Sequence, residues 1–111
     1  MEARLPTHLE VSGLIRAVEA AGGFATVISR GHREAGTLAV LTMERGGNAR
    51  LHERMPQLDG SRSFTCTREE TSENKEDFSE YLVRRGVQDP DLWIVELDVP
   101  DGERFIAALQ H

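Results

Sequence analysis

The sequence is poor in several residue types that small proteins use to bind ligands or to cross-link their fold. A single cysteine excludes an internal disulfide and suits a reducing compartment. Aromatic residues make up 5% of the chain, which disfavours the stacking platforms that hold bases or sugars. No apolar run approaches the ~18 residues needed to cross a bilayer, and the N-terminus has no apolar signal core. We therefore expect a cytoplasmic protein that makes no contact with a membrane.

The chain has fewer basic than acidic residues. The chain has 13 basic and 19 acidic residues, a net charge of −6, and the acidic excess lies in residues 61–111. Such a molecule has no general attraction for a phosphate backbone, so nucleic acid is a disfavoured partner. At 111 residues with 39% hydrophobic residues, the chain has the length of one domain and enough apolar side chains for a core. We predict a single domain over residues 1–111.

The first half of the chain predicts a helix followed by four strands. Thr7 and Glu10 fit a capping box at the start of a helix over about residues 8–21, which Gly22-Gly23 ends. Strand-forming segments follow at residues 24–30, 37–44, 49–55 and 63–67. The second of these strands is nearly continuous in apolar residues, which predicts a central position in the sheet.

The second half predicts another helix and a strand around the only tryptophan. Ser72 is a suitable N-cap for the helix, and Gly86 terminates it. Its apolar stripe is formed by Phe78, Tyr81 and Leu82. Asp89-Pro90-Asp91 turns the chain into the tryptophan strand. In that strand Trp93, Val95 and Leu97 face one way and Leu92 and Ile94 the other, so we expect both faces of the sheet to be covered.

The order of elements, α-β-β-β-β-α-β-(α), predicts an α+β fold. It has two main helices and a mostly antiparallel or mixed sheet of about five strands. Short connections favour antiparallel neighbours among the first four strands, and the second helix permits a crossover to the fifth. Residues 103–110 favour a last short helix, with a hairpin strand as the alternative.

Two segments resemble a known family. The motif from Asp89 to Leu97, with Gly102-Glu103-Arg104-Phe105 after it, is similar to the bacterial family called domain of unknown function 1491. The segment from Arg30 to Leu38 is also similar, and the likeness extends over most of the chain. The resemblance implies a small soluble bacterial protein and supplies no activity, no catalytic residue and no cofactor.

Carboxylates around the tryptophan strand are the best candidates for a metal site. Asp89, Asp91 and Glu96 could supply the oxygen ligands that hard cations prefer. The alternative is an ordinary Asp-Pro-Asp turn, because the ligand pattern of a calcium loop is missing. The four histidines and Cys66 do not stand at zinc-ligand spacing, and Cys66 reads as a small core residue. These residues give one functional hypothesis, a small metal-dependent hydrolase; we otherwise expect no catalytic residues and no cofactor.

The most suggestive surface feature is a basic strip on the third strand, formed by Arg50, His52 and Arg54, which alternation places on one face. The strip could bind an acidic protein or a nucleic acid. We favour the alternative that it faces the second helix, within one chain or between the chains of a dimer, because residues 69–80 hold six acidic residues against one lysine. We interpret the chain as a non-enzymatic binding or accessory module that acts through protein contacts, as a monomer or homodimer. The hydrolase and a nucleic-acid-binding module are the alternatives.

Overall fold

The computed structural model describes residues 5–109 and contains eight elements in the predicted order. They are α1 (Thr7–Ala20), β1 (Phe24–Ser29), β2 (Leu38–Glu44), β3 (Gly47–Pro56), β4 (Arg62–Glu69), α2 (Lys75–Gln88), β5 (Trp93–Asp98) and α3 (Glu103–Ala107). The predicted α+β class is confirmed. The last segment is a helix, as favoured, but it ends at Ala107, before the predicted end at Gln110, which lies outside the described residues.

The five strands form one mixed sheet with the order β1-β5-β2-β3-β4. β2 lies at the centre, as its apolar run predicted. β5 lies between β1 and β2, antiparallel to β1 and parallel to β2. Antiparallel neighbours among the first four strands are confirmed for β2–β3 and β3–β4, but the expectation is wrong for β1, whose neighbour is β5. The reason is that α2 carries the chain across the sheet and delivers β5 into the gap beside β2.

Both faces of the sheet are covered, and β5 contributes to both cores. Trp93, Val95 and Leu97 join the core under α1 and α3, together with Leu14 and Val18 of α1. The opposite core lies under α2. It contains Ala39, Leu41, Ala49, Leu51, Phe78, Leu92 and Ile94. The predicted division of β5 into two apolar faces is thus confirmed, because alternate residues of an extended strand point to opposite sides.

The start of α1 is held by a neighbouring loop, so the predicted capping box is wrong. Thr7 is the first helical residue, and its hydroxyl donates a hydrogen bond to the backbone carbonyl of Gly36 (2.6 Å). The backbone N–H of Thr7 donates to the carbonyl of Glu34 (3.2 Å). Glu10 turns away from the helix start and binds Arg54. Loop carbonyls therefore satisfy the orphan donors that a capping side chain would otherwise satisfy.

The predicted N-cap of α2 is also wrong. α2 begins at Lys75, and Asn74 precedes it instead of Ser72. The side-chain amide of Asn74 accepts the backbone N–H of Thr71 (2.7 Å) and donates to the carbonyl of Glu69 (3.1 Å). These two bonds fasten the start of α2 to the end of β4, because an amide side chain can donate and accept at once.

The two segments that carry the family resemblance contact each other at the start of β5. A side chain at Gly31 or Gly36 would place its Cβ 2.2 or 2.3 Å from the carbonyl oxygen of Asp91, so only glycine allows this approach. The indole N–H of Trp93 donates to the carbonyl of His32 (2.8 Å). The loop thus links the tryptophan to the start of α1.

Candidate functional site

The basic strip of Arg50, His52 and Arg54 lies on the face covered by α1 and α3. Its expected position against α2 is wrong, because α2 packs on the face of Ala49 and Leu51. Alternation fixed which residues share a face, but the covering helix depends on the path of the chain between β4 and β5. The carboxylate that meets α2 belongs to Glu53 on that opposite face: its Oε1 lies 2.9 Å from the guanidinium of Arg85.

Arg54 is held by a carboxylate of α1. Its guanidinium makes two hydrogen bonds to Glu10, of 3.2 and 2.6 Å, in a bidentate pair. The guanidinium also lies over the ring of Phe64, 4.8 Å from its centroid. The two charged side chains are only 12% and 10% exposed. Arg54 thus connects α1 to the sheet, and little of it is left for a partner to reach.

Arg50 lies between two carboxylates. Its Nη1 donates to Glu103 of α3, and its Nε lies 3.1 Å from Oε1 of Glu69, close enough for charge attraction but not aligned for a hydrogen bond. The neighbouring Cys66 side chain, and then the carboxylates of Glu103 and Glu69, raise the pKa of Arg50. Arg50 stays charged, and its charge is balanced within the chain.

His52 is buried, with 5% of its surface exposed. Its Nε2 lies 3.0 Å from the hydroxyl of Thr42 and 3.9 Å from a carboxylate oxygen of Glu103. Burial lowers the pKa of His52, since a charged imidazole is poorly solvated there. The Arg50 charge lowers this pKa further, and the Glu103 carboxylate opposes both effects.

An open cavity of about 240 Å³ lies beside this group, between β3, β4 and α3. It is lined by Arg50, His52, Phe64, Cys66, Glu103, Ile106 and Ala107. Its one permanent cation is outnumbered by the carboxylates of Glu69 and Glu103, so the cavity has no excess positive charge with which to attract an anion. Its polar groups bind one another and stabilise the contact between α3 and the sheet.

The candidate metal ligands are used in a turn and a strand. The carboxylate of Asp89 accepts the backbone N–H of Asp91 (3.1 Å), as in an ordinary Asp turn. Glu96 lies in β5, opposite Thr26 of β1 and Leu41 of β2. Within residues 5–109, no three His, Cys, Asp or Glu side chains are grouped so that they could hold a metal ion. His111, the last of the histidines considered for zinc, lies outside the described residues.

A surface that the sequence analysis missed lies at the opposite edge of the sheet, where β1 and α2 expose large apolar side chains. Phe24 and Ile28 of β1 are 74% and 47% exposed, and Val83 and Val87 of α2 are 67% and 77% exposed. Ala25 and Val27 pack against the core under α1, so alternation puts Phe24 on the α2 face, and Ile28 lies where this alternation is interrupted, between Val27 and Ser29. We call these four residues with Thr26 the β1–α2 surface.

α2 comes close to β1 at this surface. A Cβ added at Gly86 would lie 3.2 Å from the hydroxyl oxygen of Ser29. Val83 precedes Gly86 by three residues and so lies on the same flank of the helix. The sequence held a signal for this surface, since Val83 and Val87 are off the apolar stripe of α2.

The two edges of the sheet differ in charge. β4, one edge strand, contains Arg62, Arg68 and Glu69. β1, the other edge strand, has the sequence Phe-Ala-Thr-Val-Ile-Ser and no charged residue. Charged side chains on an edge strand discourage pairing with another chain, so only β4 is protected in this way.

Comparison with known proteins identifies the family. The sequence profile described as "protein of unknown function (DUF1491)" matches residues 5–107. The chain belongs to this family. An NMR structure of a DUF1491 protein from Caulobacter crescentus is 36% identical, with a TM-score of 0.78, and the match covers 95% of this chain and 94% of that one. A crystal structure of a DUF1491 protein from the same organism is 37% identical, with a TM-score of 0.77 and coverages of 92% and 94%.

A third similar structure is the solution structure of a protein from A. tumefaciens. It is 32% identical, with a TM-score of 0.71, and the match covers 97% of this chain and 93% of that one. No curated protein matches the sequence. Among residues 5–109, no helix is both long and apolar enough to span a membrane. The DUF1491 description names no activity.

Proposed function

We propose that this DUF1491 protein is a non-enzymatic binding module that acts in the cytoplasm through protein contacts, with the β1–α2 surface as its docking site. One observation carries the proposal: an uncharged edge strand and the helix α2 together expose four large apolar side chains, two on each element. Contiguous exposed apolar side chains on a soluble protein mark interaction sites.

The chemistry of the surface suits an extended protein segment. Within residues 5–109, no strand pairs with the outer edge of β1, so its backbone N–H and C=O groups on that side can extend the sheet by one strand. Backbone hydrogen bonds of this kind supply affinity, and side chains such as Phe24 and Val83 supply apolar contact. The partner is thus a protein strand with apolar residues on the face toward α2.

That the basic strip is an interaction surface stays a prediction. Arg54 and His52 are held inside the fold, and Arg50, the most exposed of the three, is bound by two carboxylates. A contact there would have to break these pairs, which costs free energy. The strip therefore ranks below the β1–α2 surface. The hydrolase and nucleic-acid alternatives stay predictions that no geometric feature of residues 5–109 favours.

Capture from cells with matched variants tests the proposal. Phe24→Asp puts a charge on the β1–α2 surface, whereas Leu58→Asp makes a comparable change at a fully exposed leucine in the β3–β4 loop. We expect proteins retained by the wild type and by Leu58→Asp to be lost from Phe24→Asp. Identical sets of captured proteins for the two variants would contradict the proposal, provided that circular dichroism shows both to be folded.

A further inference from the structure

We infer that the strand that fits the β1–α2 surface is β1 of a second copy of this chain. This inference rests on the proposed function and names its partner. Two β1 strands run antiparallel across a two-fold axis perpendicular to the sheet and join two five-stranded sheets into one of ten strands. Such an arrangement uses the same surface on both copies, as two-fold dimers do.

The register of this pairing follows from the pleat. Opposite residues of an antiparallel pair point to the same face, and the perpendicular axis keeps the α2 face of one copy continuous with that of the other. The axis therefore lies midway between one residue and the same residue of the second copy, so that this residue pairs with its own counterpart. Thr26 is the middle residue of 24–28, in which pairing with β5 is regular from Phe24 to Val27 and Ile28 lies in the irregularity between Val27 and Ser29.

With Thr26 on the axis, the side chains of the two strands are complementary. Phe24 lies opposite Ile28 of the second copy, and the symmetric pair forms at the other end. Aromatic–β-branched pairs of this kind are among the favourable cross-strand pairs. Ala25 lies opposite Val27 of the second copy on the other face. Thr26 meets its own counterpart, and threonine pairs are also favourable. Each exposed apolar residue of β1 thus finds an apolar partner.

α2 adds a second contact. Val83 lies on the flank of α2 that approaches the end of β1 at Gly86 and Ser29. That end of β1 holds Ile28, opposite which the pairing places Phe24 of the second copy. The ring of Phe24 from the second copy therefore lies between the paired β1 strands and the flank of α2. In this position it covers both Ile28 and Val83.

The charges of the molecule permit this association. β1 contributes no charged residue, so no like charges meet in the strand pair, and the carboxylate of Glu96 lies on the neighbouring strand β5, opposite Thr26. Acidic residues open α2, but that end is bound to β4 at the far edge of the sheet through the bond from Asn74 to the carbonyl of Glu69. The acidic segments of the two copies are kept apart, although each copy carries a net charge of −6.

Sedimentation of the wild type from about 1 to about 500 μM tests the inference, because short interfaces under about 1,200 Å² dissociate in this range. We expect a concentration-dependent dimer. Thr26→Lys should weaken it at least about tenfold, since it places like charges opposite each other on the axis. Thr65→Lys is the matched control: Thr65 is an exposed threonine of the other edge strand, and its replacement should leave the dimer unchanged.

Mixing two variants tests the register itself. Thr26→Glu alone should weaken the dimer to a similar extent, whereas an equimolar mixture of Thr26→Lys and Thr26→Glu should form a heterodimer, because the axis brings the opposite charges together. A monomeric wild type at every concentration would overturn the inference. So would a dimer that survives Thr26→Lys, equal effects of Thr26→Lys and Thr65→Lys, or a mixture that stays monomeric.

Failure of this inference is distinct from failure of the proposed function. A monomeric wild type whose captured proteins still depend on Phe24 would leave the β1–α2 surface as a docking site for a different protein. A dimer that survives Thr26→Lys, together with capture that is indifferent to Phe24→Asp, would overturn both.

Discussion

At the scale of single residues, His52 makes stability depend on pH. Its pKa in the folded protein lies below the ordinary value of 6.5, so the unfolded chain binds the proton more readily. The stabilisation is present in full above pH 6.5 and is lost as the pH falls from 6.5 through the lowered pKa of His52. We expect the free energy of unfolding, measured by urea titration, to fall over this interval.

A neutral residue at this position should remove that dependence. His52→Gln retains a polar group near the hydroxyl of Thr42 but does not titrate, so the slope of unfolding free energy against pH just below pH 6.5 should become smaller. An unchanged slope in His52→Gln would mean that other groups cause it. The burial of this histidine could not be predicted from the sequence. Alternation placed it on one strand face with two arginines and did not indicate that helices cover this face.

At the scale of elements, the ion pair of Glu10 and Arg54 joins α1 to β3. Because both side chains are nearly buried, removing one partner leaves a poorly solvated charge. We expect Arg54→Met to lower the free energy of unfolding by about 2–4 kcal/mol, somewhat less than for a fully buried pair. The double variant with Glu10→Leu should regain part of this loss, because it leaves neither charge unpaired. Chemical denaturation of the wild type, the two single variants and the double variant measures the coupling between Glu10 and Arg54. If the losses of the two single variants simply add in the double variant, the two side chains are not coupled and the prediction is wrong.

The same contact shows how far sequence reasoning reaches for an element. Residue spacing predicted α1, and strand alternation predicted that Arg54 shares a face with His52. Neither pattern could predict that Glu10 would bind Arg54, since the residues are 44 positions apart and lie on elements whose arrangement depends on the strand order of the sheet. Capping failed for the same reason: Thr7 and Glu10 fit a local motif, but partners distant in the sequence bind both.

At the scale of the whole molecule, the α+β class and the central position of β2 could be predicted, because they follow from the order of elements and from a continuous apolar run. The position of β5 between β1 and β2 could not, since short connections favour pairing of strands that are neighbours in the sequence. That insertion determines which strand becomes the unprotected edge. The β1–α2 surface is therefore a consequence of topology, and only the lack of charge in β1 was visible beforehand.

The same insertion should make unfolding a single cooperative event. β2 and β5 contribute alternate residues to the cores on both faces, so neither core persists when the other is lost. Leu14→Ala under α1 and Phe78→Ala under α2 should each lower the free energy of unfolding by about 2–5 kcal/mol. Urea transitions followed by Trp93 fluorescence, which reports on the α1 core, and by far-ultraviolet circular dichroism should coincide in both variants. A Phe78→Ala protein whose fluorescence midpoint stays at the wild-type value while its dichroism midpoint falls would show that the two faces unfold separately.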